Sequence, residues 1–208
     1  FRTGTSVAER DEDRMEAELI HERLERSARN GGYLAMTVPP SQHNRAVRQL
    51  GDLGAEVIDL DAEIIGAIRA FASERGIDWD RAIVTADAAG PSGPRWASPL
   101  LSVIREALAP LTERLLTGAA HQLLVHPGLL ARYDRLGLVD EMREAVTRQP
   151  RPGQTLRTLW LLVPALDPNA LVSIDGAAVA VTTPAERLAL SPAWTQNLHR
   201  TRPSGTPA

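Results

Sequence analysis

With 43% hydrophobic and 24% charged side chains, 208 residues suffice for one ordinary domain with its own core. All 23 basic residues are Arg and there is no Cys, which excludes Schiff-base lysines, a phosphate-holding Lys, thiol nucleophiles and thiolate metal ligands. A net charge of −3 with scattered Arg argues against nucleic acid as the main partner.

Residues 1–11 are small and polar and read as a linker. They carry neither an initiator Met nor a signal-peptide core, so the chain reads as a piece of a larger protein, cytoplasmic in location. Over residues 12–30, Met15, Leu19, Ile20, Leu24 and Ala28 recur at helical spacing, which predicts an amphipathic N-terminal helix ended by Asn30-Gly31-Gly32. That helix packs either on its own domain or, through residues such as Leu24, on a partner or a second copy.

Tyr33 to Val38 predicts a strand stopped by Pro39-Pro40, with Ser41 as cap of a helix running to about Leu53. Glu56 to Leu60 is a second strand, and Asp61 caps a helix carrying Ile64, Ile65, Ile68, Phe71 and Ala72 to Gly76. Ile83-Val84-Thr85 reads as a weaker strand before the loop Gly90-Pro91-Ser92-Gly93-Pro94. Leu100, Ile104, Leu108, Leu111 and Leu115 mark a helix over 99–116 that Pro110 should kink or break.

Gln122 to Val125 is a buried strand that turns at His126-Pro127-Gly128 into a helix over 129–148. Leu138, Val139, Met142 and Val146 form its clearest stripe. Pro150 to Gly153 is a turn and Leu159 to Val163 another buried strand. Asp175-Gly176 between short strands predicts a hairpin at the sheet edge, and Thr183-Pro184-Ala185-Glu186 a capping box opening a helix. Residues 201–208 read as a frayed, disordered tail.

Strands alternating with helices predict βαβ units and an α/β fold with three layers around a mostly parallel sheet. It spans 12–200: the helix over 12–30, a βαβ core over 32–165, and a hairpin plus helix over 171–200. No apolar run approaches the roughly 20 residues of a membrane span, so no membrane partner is expected.

Ligands of such sheets bind at the carboxyl ends of the strands, where Ser41, Asp59, Asp61, Asp87 and His126 would stand. The carboxylates and the His would serve as acid, base or cation ligands, or else as helix caps and solvated turns. The first turn, Val38-Pro39-Pro40-Ser41-Gln42-His43-Asn44, matches neither nucleotide-binding glycine pattern, and its prolines remove amide donors. Ser41 lacks the elbow of a hydrolase nucleophile, and His21, His43, His121 and His199 lack metal-ligand spacing. We therefore expect no catalytic residue, metal or cofactor. Trp79, Arg95 and Trp96 read as interface anchors or as rings covering the core edge.

Several phrases together carry a resemblance: Gly32-Tyr33-Leu34-Ala35, Asp78-Trp79-Asp80, 124–133 (LVHPGLLARY), 159–164 (LWLLVP) and Asp175-Gly176-Ala177-Ala178-Val179. The set resembles the C-terminal region of the large serine/threonine kinase of phage growth limitation, or type 2 BREX, defence systems. A degenerate relative of a phosphate-loop ATPase core, its loop lost, would show similar phrases, and the fold is read as resembling one. The kinase resemblance implies a regulatory or protein-interaction part of a larger kinase. Its partners would be other domains of that chain or other defence proteins. The kinase's own motifs are absent here, so phosphoryl transfer would lie elsewhere in such a chain. The alternative is a small-ligand or nucleotide-binding domain using the strand-end residues.

Overall fold

Five parallel strands form one sheet: β1 (Gly32–Val38), β2 (Glu56–Asp59), β3 (His121–Val125), β4 (Thr158–Pro164) and, beyond a small hairpin, β7 (Arg187–Ala189). Their order is β2-β3-β4-β1-β7. This computed structural model describes residues 7–91, 93, 99–148 and 152–200. The apolar runs of β1, β3 and β4 are buried on both faces, as interior strands of a parallel sheet require.

The two-residue side-chain period divides those strands between two cores. Tyr33, Ala35, Leu124, Leu159, Leu161 and Val163 face α3 (Leu60–Glu74), α5 (Leu101–Leu116) and α7 (Gly137–Thr147). Leu34, Met36, Leu123, Val125, Trp160 and Leu162 face α1 (Val7–Asn30), α2 (His43–Gly51) and α8 (Pro192–Thr195). Helices thus cover both faces of an α/β sheet. Among the described residues, no helix is long and apolar enough to cross a membrane.

The long-period predictions hold best. Leu100, Ile104, Leu108, Leu111 and Leu115 are all buried, and α5 runs through Pro110 without ending. Elsewhere tertiary packing overrides the local reading. The buried stripe of α1 is Ala17, Ile20 and Leu24, while Met15 and Leu19 are exposed. Ile83-Val84-Thr85 is not a strand: Asp78 caps a π-helical turn (Trp79–Val84) that continues into α4 (Thr85–Ala89). The helix expected over 129–148 is two, α6 (Gly128–Arg132) and α7.

The hairpin forms as expected, β5 (Ser173–Ile174) against β6 (Ala177–Ala178), with positive φ at both Asp175 and Gly176. It is a separate two-stranded sheet, and the edge beside β1 is taken by β7 instead. Thr183 makes no cap bond. Glu186 instead accepts the Thr182 N–H at 2.6 Å and faces Arg143, closing a single 3₁₀ turn before β7. Ser92, Pro94 and much of the 150–153 turn lie outside the described residues, as do residues 1–6 and 201–208.

Leu198–Arg200 folds back onto α1, where the His199 ring stacks on His21 at 4.3 Å and lies 6.0 Å from Trp194. Burial, with His21 and Arg200 adding, lowers the His199 pKa to about 4. A His depressed on folding stabilises above its unfolded value near 6.5, and that contribution is lost as pH falls toward 4. Charged neighbours are Glu25, 3.5 Å from His21, and Asp52, which pairs with Arg200. The urea midpoint should therefore fall between pH 6.5 and 4, and fall less in His199→Leu.

Candidate functional site

All five strands are parallel, so their carboxyl ends share one edge of the sheet. The chain leaves β1 toward β2 on one side and leaves β4 toward β7 on the other. The crevice at that reversal is where sheets of this kind bind ligands. After β1 the two prolines shape a 3₁₀ turn (Pro40–Gln42) that delivers His43 to the start of α2. Ser41 is exposed on this turn, and the α2 N-cap is Gln42, without a side-chain bond. Ser41 is thus not the cap its sequence position suggests.

Asp59, rather than Asp61, caps α3. Its Oδ1 accepts the Ala62 N–H at 3.1 Å, and its Oδ2 lies 2.9 Å from Nδ1 of His126. One carboxylate therefore fixes a helix end and a histidine ring at once. β2 and β3 pair in register, with Asp59 opposite Val125, so the residue after Val125 meets the Asp59 side chain. His126 takes a left-handed backbone, φ +50°, uncommon for a residue with a Cβ.

The ring of His43 lies 5.2 Å from that of His126, with the planes tilted by 31°. His43 is 7% exposed, and its Nε2 is sealed from solvent without a hydrogen-bond partner. Burial, assisted by His126 and opposed by a bond to Asn44, lowers its pKa. Burial pushes Asp59 up, but the bonds from His126 and Ala62 outweigh it and hold the carboxyl below its ordinary value. Above that range the Asp59 carboxylate is acceptor-only, so it orients an Nδ1–H of His126 and leaves Nε2 as the free nitrogen.

Asp61 stands in the first turn of α3, and its Oδ1 accepts the Leu129 N–H at 2.9 Å. Burial raises its pKa, opposed by that bond and reinforced by Asp59 and Asp175. A cleft of about 460 Å³ beside it is lined by Asp61, Pro91, Gly128, Leu129, Arg132 and Asp175. The hairpin thus brings a third carboxylate to this edge.

Asp87 belongs to a different arrangement. It lies on α4, not at a strand end, and receives Arg132 Nε at 2.9 Å and Tyr133 Oη at 3.0 Å. Burial and the Asp87 bond push the Tyr133 hydroxyl up to about 12. Asp87 thus ties α4 to α6.

The expected interface residues separate likewise. Trp79 is half-buried against the core, with the Arg69 guanidinium 4.9 Å above its ring. Leu24 is fully buried within its own fold, so the partner-facing role is corrected. Arg95 and Trp96 lie outside the described residues. His43 had no sequence signal beyond its place after the first strand. Among the described residues no group of three or more His, Cys, Asp or Glu is placed to hold a metal ion.

No protein-family model matches the chain, and no solved structure matches it. It is similar to "Probable kinase PglW" of Streptomyces coelicolor, with 30% identity over 210 residues. The match covers 96% of this chain and 13% of that protein. The resemblance carried by the sequence phrases therefore holds, for a chain spanning about an eighth of its relative's length.

Proposed function

We propose that this chain is a non-catalytic module, regulatory or protein-binding, within the C-terminal region of a larger phage-defence serine/threonine kinase. Its similarity to a stretch of a probable kinase supports membership in a longer chain. In this reading phosphoryl transfer belongs to another part of that chain, and the sequence here has no kinase Gly-rich loop, strand Lys, His-Arg-Asp loop or Asp-Phe-Gly to support it.

One observation carries the reading. β1 lies inside the sheet beside β4, and the turn after it opens on the switch point, the place a phosphate loop occupies. That turn holds two prolines, no Gly and no Lys. Architecture is kept where phosphate-binding chemistry is missing, which fits a degenerate phosphate-loop ATPase core put to binding proteins. The partners would be other domains of the parent chain or other proteins of the defence system. Self-association would use exposed Met15 and Leu19 rather than Leu24.

Deleting this segment from the full-length kinase should preserve autophosphorylation and abolish co-purification with its defence-system partner. Loss of autophosphorylation in a correctly folded remainder, with partner binding intact, would overturn the proposal. A second reading, a small-ligand domain, is favoured by the Asp59–His126 bond beside the unpartnered His43 Nε2.

A further inference from the structure

We infer that the open edge of β2 takes an added strand from a protein partner, an extended segment with acidic side chains at alternate positions. The inference rests on the protein-binding reading above and names the surface and the chemistry that reading would use.

β2 ends the order β2-β3-β4-β1-β7, so only its β3 side is paired. In a parallel ladder alternate residues turn their N–H and C=O groups away from the neighbour, and an edge strand leaves those groups open. Among the described residues, no loop, turn or cap backbone bond reaches Glu56, Val57 or Ile58. The opposite edge differs, because Arg187 of β7 donates to the carbonyls of Asn169 and Ala170 and holds a loop beside that strand. Val57 is a β-branched residue left 42% exposed.

Clefts flank β2 on both faces, as the side chains of an added strand require. The two-residue period separates them. Val57 lies beside Gly51 of α2 and lines a cleft of about 710 Å³ with Arg45, Arg48, Asp52 and Arg200. Glu56 and Ile58 turn the other way, toward a cleft of about 420 Å³ that also holds Glu63, Arg114 and Ala119.

The two clefts differ in charge. The first sets three Arg against one Asp, in a chain whose net charge is −3. Arg200 lies 3.9 Å from Asp52, whereas Arg45 and Arg48 are exposed and make no ion pair among the described residues. The second cleft holds Glu56 and Glu63, and its Arg114 is already paired with Glu63. It repels the carboxylates that the first attracts. A strand laid on β2 therefore places acidic side chains over Arg45 and Arg48 and uncharged ones on the other face. Four residues of ladder give few backbone bonds, so the Arg contacts set the selectivity.

The test uses a fluorescein-labelled peptide of alternating Glu and Val, read by fluorescence anisotropy, with amide hydrogen exchange of the folded chain as a second readout. Saturable binding is expected, with slowed exchange in β2. Arg45→Glu/Arg48→Glu, which alters two exposed side chains, should weaken it at least tenfold and leave the urea midpoint unchanged. A peptide of alternating Lys and Val should bind at least tenfold more weakly than the acidic one. No saturable binding at millimolar peptide would overturn the site, as would affinity unchanged in the Arg45→Glu/Arg48→Glu chain. Binding without slowed exchange in β2 would overturn strand addition. Single-stranded DNA bound as tightly as the peptide would assign Arg45 and Arg48 to nucleic acid and overturn the proposal. The full-length kinase carrying Arg45→Glu/Arg48→Glu should lose the partner that deletion of this segment loses. Partner loss on deletion but not in that variant would overturn the site and leave the protein-binding module standing.

Discussion

Trp160→Ala should destabilise the fold by about 3–5 kcal/mol, the usual cost of emptying a buried aromatic site. Trp160 is fully buried on β4, between Leu34 of β1 and Leu123 of β3. Its Nε1–H donates to Ser27 Oγ at 3.0 Å, and the His121 ring meets it edge-on at 4.2 Å. One side chain therefore joins the sheet centre to α1, and the cavity cannot collapse without moving both. Against a typical domain stability of about 5–15 kcal/mol, such a loss leaves little reserve. Trp160→Phe keeps most of the volume but unpairs the Ser27 hydroxyl, so about 1–2 kcal/mol is expected. Urea unfolding measures both, and a loss below 1 kcal/mol for the Ala variant would contradict this packing.

Leu24→Glu should be as severe. Leu24 is completely buried where α1 meets the same core, with Ala17 and Ile20 on its face and Trp194 in the same cluster. The change removes roughly 2–3 kcal/mol of apolar burial. It also places a carboxylate in an apolar site with no partner, which costs several kcal/mol more or forces the group to stay protonated. The outcome is detachment of α1 or global unfolding, read as lost helical circular dichroism and a collapsed urea midpoint. Retention of the wild-type midpoint with altered molecular mass would instead make Leu24 an interface residue.

Much of the architecture is legible in the sequence because interior parallel strands need continuous apolar runs. Leu123-Leu124-Val125 and Leu159 to Val163 satisfy that need by themselves. The regular stripe of α5 is equally plain. Short segments are less so, since local preference there yields to packing. Ile83-Val84-Thr85 has strand-forming residues, yet the Asp78 cap turns the segment helical and buries Ile83. β7 hides because, of Arg187, Leu188 and Ala189, only Leu188 is buried. On α1, Met15 and Leu19 look like a stripe, but Ala17 and Ile20 share the buried face with Leu24.

The site divides in the same way. Asp59, Asp61 and His126 follow from the rule that strand ends gather in one place, and the structure brings them together. Asp87 does not stand at a strand end, because its supposed strand is a helix. His43 could not be paired with His126 from spacing, since only the crossover from β1 through α2 to β2 brings their elements side by side.

The most direct test of the central claim is calorimetric titration of the chain with ATP, ADP and GTP, with and without Mg²⁺. The proposed reading of the domain as a phosphate-loop core without its loop predicts no saturable heat up to millimolar nucleotide. Saturable binding in the micromolar range would contradict that account and make the strand-end crevice a working nucleotide site.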